Sequence, residues 1–178
     1  MQAAAATEME RVLALNHSPP RRKPRWIENL QTVELRETGP FASSRRLRGA
    51  KGQGQRYEQK FGKFLQRTAG REAELLSGQW FEFEDANGPG WAQTDHLLIY
   101  PGSLIIFECK LTQHPSARLQ LEGLYLPLVH AVWPDYSIQL VEVFRNITEG
   151  DPGREIQSLA NLRRGPLYGA AHLWHWLR

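Results

Sequence analysis

The sequence is poor in cysteine and in long hydrophobic runs, and each scarcity excludes a class of protein. Its 178 residues include a single cysteine, Cys109, which excludes an intrachain disulfide framework, a cysteine-rich zinc finger and a cysteine-ligated iron–sulfur cluster. No apolar run approaches the length that spans a bilayer. The opening MQAAAATEMER also carries acidic residues where a signal peptide needs an apolar stretch. We therefore expect a soluble, intracellular protein of a reducing compartment such as the cytoplasm, with no membrane partner.

Positive charge is concentrated at the beginning of the chain. Residues 1–56 hold 11 Lys and Arg against 5 Asp and Glu, whereas residues 57–178 hold 11 against 14. This asymmetry predicts a basic helix and arm over 1–56 and a mildly acidic folded domain over 57–178. A basic arm commonly binds phosphate, although a solvated tail is the alternative. The candidate nucleic-acid-binding residues of the arm are Arg21, Arg22, Lys23, Arg25, Arg45, Arg46, Arg48 and Lys51.

Hydrophobic periodicity predicts a mixed α/β architecture. The arm contains a short helix over 3–15 and a loop over 38–55, and a helix begins near Tyr57 and stops at Gly70. Beyond Gly70 the predicted order is strand, strand, strand, helix, strand. These elements cover 79–85, 92–100, 104–111, 117–132, where Pro127 kinks or ends the helix, and 137–145. A helix over 154–163 and an aromatic end over 172–176 follow, with Trp174 and Trp176 expected in the core or at an interface.

Charged residues interrupt the most apolar of the predicted strands, LIIFECKL. The two-residue period of a strand places Glu108 and Lys110 on one face, and Cys109 on the opposite, packed face. Folding the preceding hairpin about Gly102 brings Asp95 near Glu108 or Cys109. Carboxylate oxygens are the ligands that Mg²⁺ prefers, and a lysine beside them can orient or deprotonate a water, or stabilise charge on phosphate. The next residue, His96, faces the other side of its strand and is expected to pack there or to support the site residues from outside.

This pattern, Asp95 followed after twelve residues by Glu108-Cys109-Lys110, resembles the PD-(D/E)xK nuclease superfamily. The resemblance implies the restriction-endonuclease-like fold, an αβββαβ core with a mixed central sheet flanked by helices, over roughly residues 57–145. To this core the sequence adds the basic N-terminal arm and a C-terminal helical extension.

The resemblance also implies chemistry, namely Mg²⁺- or Mn²⁺-dependent hydrolysis of DNA phosphodiester bonds. In such enzymes Asp95 and Glu108 would bind the metal together with the backbone carbonyl of Cys109, and Lys110 would serve the attacking water. Glu58, on the helix before the sheet, would assist metal or water. DNA is the expected partner, a homo-oligomer is left open, and no organic cofactor is expected.

A second pair of residues refines the comparison. Gln120 and Tyr125 resemble the Gln-x-x-x-Tyr pair of RecB-like and lambda-exonuclease-like members, with one extra residue between them. By this resemblance Gln120 would position Lys110 or phosphate, and Tyr125 would contact nucleic acid. The pair favours an exonuclease of DNA recombination, repair or end processing. The alternatives are a structure-selective endonuclease or Holliday-junction resolvase, and a non-catalytic nucleic-acid-binding protein on the same fold.

Overall fold

The computed structural model describes residues 26–40, 49–146 and 171–177. The helices predicted over 3–15 and 154–163 lie outside these residues. The described elements are β1 (Thr32–Arg36), α1 (Gly49–Thr68), β2 (Glu74–Ser77), β3 (Trp80–Asp85), β4 (Gly88–Gln93), β5 (His96–Tyr100), β6 (Ser103–Thr112), α2 (Pro115–Gln120), a π-helical turn (Leu121–Tyr125), α3 (Leu126–Val132), β7 (Ser137–Asn146) and β8 (His172–His175). Within this part of the chain, no helix has the length and apolar character needed to cross a membrane.

Five strands form a mixed sheet in the order β2-β5-β6-β7-β8. β5 is antiparallel to both β2 and β6, whereas β7 is parallel to both β6 and β8. Parallel neighbours need a crossover connection, and the helical segment from α2 to α3 connects β6 to β7. The predicted mixed α/β class is therefore confirmed, with helices packed on a mixed sheet.

Alternate side chains of β6 enter two different hydrophobic cores. Ile105 and Phe107 face α1, where the ring centroid of Phe61 lies 5.3 Å from that of Phe107. Leu104 and Ile106 belong to the other core, which they share with the α2–α3 segment and the smaller sheet. The predicted alternation along this strand is confirmed. Because both faces are buried, the charged residues at its end stand out as the exception.

The strand predicted over 79–85 forms as β3, but it does not belong to the central sheet. It lies between β1 and β4 in a separate antiparallel sheet. β2, and not β3, pairs with β5 in the central sheet. Its four residues, ELLS, form a segment too short to show the alternation of a strand. The strand predicted over 92–100 is likewise divided into β4 and β5, because the chain passes from one sheet to the other at Thr94 and Asp95.

The expected boundary between residues 56 and 57 is wrong, because it falls inside α1. That helix begins at Gly49, within the stretch predicted to be a loop. Glycine costs about 1 kcal/mol relative to alanine inside a helix, but Gly52 is buried, and such packing outweighs propensity. Residues 26–36 also belong to the folded body: β1 pairs with β3, and the N–H of Ile27 donates to the carbonyl of Gly123 at 2.9 Å.

The aromatic end forms a strand rather than part of a helical extension. β8 pairs in parallel with β7. The rings of Trp174 and Trp176 lie 5.4 and 5.2 Å from that of Phe61, and both residues are buried. Of the two predicted places, core or interface, the structure shows the core.

Candidate active site

The hairpin of β5 and β6 brings Asp95 to the Glu108-Cys109-Lys110 segment. His96 is the partner of Phe107 in the strand register, so Asp95, one residue earlier, stands opposite Glu108. The backbone N–H of Cys109 donates to Oδ2 of Asp95 at 2.6 Å. The two-residue turn between the strands fixes this register, and Gly102 adopts the positive φ of 73° that it requires. The predicted proximity of Asp95 to Glu108 and Cys109 is confirmed.

Glu108 and Lys110 form an ion pair at the end of β6. Nζ of Lys110 contacts Oε1 of Glu108, whose side chain is 3% exposed, whereas the Lys110 side chain is 32% exposed. The other oxygen, Oε2 of Glu108, is buried and has no hydrogen-bond partner in the described part of the chain. A buried carboxylate oxygen without a partner is costly. A proton on this carboxyl group, or a bound cation, would reduce that cost.

Burial disfavours the ionised form of three carboxyl groups at this point. Desolvation first, then the Asp95 carboxylate, raises the pKa of Glu108 from 4.5 to about 8. Desolvation also raises the pKa of Asp95, against the hydrogen bond from Cys109 and the charge of Lys110. For Glu58, desolvation followed by repulsion from Asp95 raises the pKa from 4.5 to about 7. Three carboxyl groups thus influence one another around one ammonium group. A bound cation would reduce the repulsion between their ionised forms.

Lys110 keeps its proton in this environment. Desolvation lowers its pKa, but the charge and hydrogen bond of Glu108 together raise it above the usual 10.5. Of the two roles expected toward water, orienting it as a donor fits this state, and removing its proton does not. The thiol of Cys109 is also protonated, because desolvation and the carboxylates around it raise its pKa well above 9.0. Cys109 packs against the α1 core, as predicted for the packed face of the strand.

His96 links α1 to the strand that carries Asp95. Its Nε2 lies 3.1 Å from the carbonyl oxygen of Glu58, which can only accept, so Nε2 carries the proton and donates. Its Nδ1 accepts from the hydroxyl of Ser77 at 2.9 Å. Burial lowers the pKa of His96 and keeps the ring neutral. Packing or support of the site residues was predicted for His96; the structure shows a buried ring that also holds the backbone of Glu58.

Gly62 permits this approach of helix to sheet. A Cβ atom at this position would lie 2.6 Å from Cε1 of His96, a distance that no relaxed structure tolerates. With glycine, α1 comes close enough for the charges of Asp95 and Lys110 to shift the pKa of Glu58. The predicted position of Glu58 beside the other carboxylates is thereby explained.

The π-helical turn accounts for the extra residue between Gln120 and Tyr125. In an α-helix, side chains five residues apart point about 140° away from each other. The turn over Leu121–Tyr125 has the wider π spacing, and Nε2 of Gln120 donates to the hydroxyl of Tyr125 at 2.5 Å. The predicted pairing of these residues is thus a contact in the structure. The role of Gln120 toward Lys110 or phosphate stays a prediction.

Tyr125 requires a correction, since its ring is buried with 2% exposed. Its hydroxyl donates to the carbonyl of Gln93 at 2.8 Å, and desolvation first, then Glu108, raises its pKa well above 10.0. A ring enclosed in this way offers no face to a base, so Tyr125 supports Gln120 from behind the site. Of the other candidate nucleic-acid contacts, Lys51 is exposed in the first turn of α1. The remaining ones lie outside the described residues: Arg21, Arg22, Lys23, Arg25, Arg45, Arg46 and Arg48.

The sequence patterns missed Glu142, which is fully buried on β7. It is the register partner of Glu108 in the parallel pair β6–β7, and its Oε1 accepts the backbone N–H of His114 at 2.9 Å. A glutamate inside the apolar run IQLVEVF was the available signal, since charge in a buried strand needs a partner.

The donor set fits a divalent cation of the magnesium type. Across residues 26–40, 49–146 and 171–177, no group of three or more His, Cys, Asp or Glu side chains is arranged to hold a metal. Mg²⁺ needs no such cage, because one or two carboxylates with water and substrate phosphate usually complete its shell. Asp95 and Glu108 supply two carboxylates, and Oε2 of Glu108 is a buried acceptor without a partner.

Comparison with known proteins adds no relative. No protein-family model, no curated protein and no solved structure matches this chain. The resemblance seen in the sequence therefore depends on the residues themselves. Their geometry is that of two carboxylates and a lysine meeting on adjacent strands.

Proposed function

We propose that this protein is a Mg²⁺- or Mn²⁺-dependent deoxyribonuclease of the PD-(D/E)xK type. One observation carries the proposal: Asp95 meets the Glu108-Cys109-Lys110 segment on adjacent antiparallel strands, and among the described residues Oε2 of Glu108 is buried without a hydrogen-bond partner. The pKa values of three carboxyl groups around Lys110 are also raised. Perturbed carboxyl groups around a lysine are typical of functional sites.

The order of elements supports the corresponding fold. With the β3–β4 hairpin set aside, the chain runs α1, β2, β5, β6, the α2–α3 segment and β7. This is helix, three antiparallel strands, helix and a parallel strand, the αβββαβ order of the restriction-endonuclease-like core. Its first strand is β2 rather than the expected strand over 79–85.

Asp95, Glu108 and the backbone carbonyl of Cys109 would hold the metal, with Glu58 as a further ligand or a partner of its water. When bound, such an ion lowers the pKa of a coordinated water and neutralises charge on the scissile phosphate. Lys110, protonated and partly exposed, would donate a hydrogen bond to the attacking water. The water oxygen bonds to phosphorus as one ester P–O bond breaks; the water gives up a proton to solvent, and the departing oxygen takes up a proton from solvent.

Gln120 favours an exonuclease among the possible nucleases. Its amide is held by Tyr125, whose hydroxyl is in turn held by the backbone carbonyl of Gln93. The resemblance of Gln120 and Tyr125 to the Gln and Tyr pair of exonuclease-like members supports this choice. An endonuclease selective for branched DNA is the alternative that the same core would also serve.

The purified protein should be incubated with linear, circular and branched DNA, in Mg²⁺ and in EDTA. The proposal predicts Mg²⁺-dependent degradation of linear DNA and none in EDTA. Cleavage of closed circles or junctions would indicate the endonuclease alternative. Binding of DNA without any metal-dependent cleavage would support the non-catalytic interpretation and refute the proposal.

A further inference from the structure

The outer surface of α1 carries a row of positive charge next to the site. Helix α1 contains five basic residues and a single acidic one, Glu58. Four of the basic residues recur at intervals of four, three and four, which places them on one helix face, within a sector of about 60°. All four are exposed. They are Arg56, Lys60, Lys63 and Arg67, and we call them the basic row.

None of the basic row has an ion-pair partner in the described part of the chain. The ion pairs of the described residues involve Arg36 and Lys110 instead. Four exposed cations on one face repel one another, and the opposite face of α1 is occupied by the core, through residues such as Phe61 and Leu65. Among the described residues no acidic side chain pairs with the row, so this face suits an anion of extended shape.

The row continues into the site through a polar groove. Lys63 lines this groove together with Glu58, Gln59, Gly62 and Gln66, and His96 lines its opposite wall. Glutamine side chains thus lie between the basic row and Glu58, and they add donors without adding negative charge. A phosphate chain on the row can therefore pass from Lys63 along the groove to Glu58, the one carboxylate of the site that lines it.

We propose that the basic row binds the phosphate backbone of the nucleic acid that the site cleaves. The inference rests on the proposed function, and it assigns the substrate a surface on the folded body in addition to the arm. The row extends about 16 Å along the helix axis. Duplex DNA carries one charge per ~1.7 Å of its axis, so phosphates are available along the whole row. Contacts to phosphate position the strand and read no sequence.

The salt dependence of DNA binding tests the inference. Affinity for a 20-base-pair duplex should be measured in EDTA, which prevents metal-dependent cleavage, on the full chain at several KCl concentrations. Each lost phosphate contact flattens the slope of log K against log salt by about 0.9 on duplex and about 0.7 on a single strand. We expect Lys60→Gln and Lys63→Gln to flatten it by one such step each. The fourfold variant R56Q/K60Q/K63Q/R67Q should flatten it by about 3.6 on duplex.

Glutamine is a good helix former, and circular dichroism will show that the variants stay folded. Arg36→Gln is the matched control, because it removes the same charge from a site where Glu34 and Glu82 already neutralise it. This control should leave the slope unchanged. If the single variants are folded and their slopes equal the wild-type slope, the inference is overturned.

Two further outcomes separate this inference from the proposed function. If the variants flatten the slope but the wild type never cleaves DNA, the basic row binds DNA and the proposed nuclease function is refuted. If the wild type cleaves DNA but the variants leave the slope unchanged, the nuclease function stands and the inference about the basic row is refuted. The fourfold variant should also be tested with phosphatidylserine vesicles. If the substitution abolishes vesicle binding and leaves DNA affinity unaffected, the row binds a lipid surface and the inference is overturned.

Discussion

Replacing Glu108 by Gln should stabilise the metal-free protein at alkaline pH. Desolvation, followed by the Asp95 carboxylate, raises the pKa of Glu108 from 4.5 to about 8. A raised carboxyl pKa means that the folded state holds the proton more tightly than the unfolded state does. The free energy of unfolding therefore falls as the pH rises from about 4.5 to about 8. Gln keeps the shape of the side chain and cannot ionise, so the variant avoids this loss.

The size of the effect follows from the displaced pKa. A pKa difference of one unit between the folded and unfolded states corresponds to about 1.4 kcal/mol. The raised pKa of Glu108 therefore lowers the free energy of unfolding by roughly 3–5 kcal/mol at pH 8. The substitution also removes the partner of Lys110. That side chain is 32% exposed, so water can replace the lost contact at a cost of about 1 kcal/mol. The net gain should be about 2–4 kcal/mol at pH 8 and below about 1 kcal/mol at pH 5.

Urea denaturation in EDTA at pH 5, 7 and 8 measures this difference directly. Glu84→Gln is the control, because Glu84 is an exposed carboxyl on β3 and its removal should change little. Addition of Mg²⁺ should stabilise the wild type at pH 8 and leave Glu108→Gln unaffected. A Glu108→Gln protein no more stable than the wild type at pH 8 would refute the reasoning about buried charge.

Four further predictions concern the residues around the carboxylates and the N-terminal arm. Lys110→Ala should keep metal binding by calorimetry and lose about 10²–10⁴-fold in turnover; loss of metal binding would contradict its role toward water. Gly62→Ala should lower the free energy of unfolding by about 1–3 kcal/mol and slow turnover, since a Cβ would lie 2.6 Å from His96. His96→Gln, which can still donate to the Glu58 carbonyl, should retain more turnover than His96→Leu; equal rates would show that the hydrogen bond is unimportant. Deleting residues 1–25 should flatten the salt slope of duplex binding by about 0.9 for each lost contact, whereas an unchanged slope with a lower melting temperature would mean that this segment packs on the core.

The central part of the site could be predicted because it depends on local geometry. Asp95 and Glu108 belong to two strands joined by a two-residue turn, and the alternation of side chains then fixes which residues meet. The turn at Gly102 and the apolar run after it are visible in the sequence. The position of the lysine two residues beyond Glu108 follows from the same period.

The rest depends on contacts between distant segments, which leave no local pattern. β1 is recognisable only through its pairing with β3, and β2 only through its pairing with β5. The start of α1 at Gly49 contradicts glycine propensity and follows from tertiary packing. The link from His96 to Glu58 joins residues 38 positions apart, and the π turn that brings Gln120 to Tyr125 has no sequence signature of its own.

The most direct test of the central claim is the rate of Mg²⁺-dependent DNA hydrolysis by Asp95→Asn, beside wild type and Glu84→Gln. The substitution removes one negative charge and keeps the side chain's size and one carbonyl acceptor for the N–H of Cys109. If Asp95 holds the metal, hydrolysis should be abolished, while DNA affinity in EDTA should stay the same or rise because a charge that repels phosphate is gone. Glu84→Gln should cleave at the wild-type rate. Undiminished hydrolysis by Asp95→Asn would contradict the assignment of this site as a metal-dependent nuclease centre.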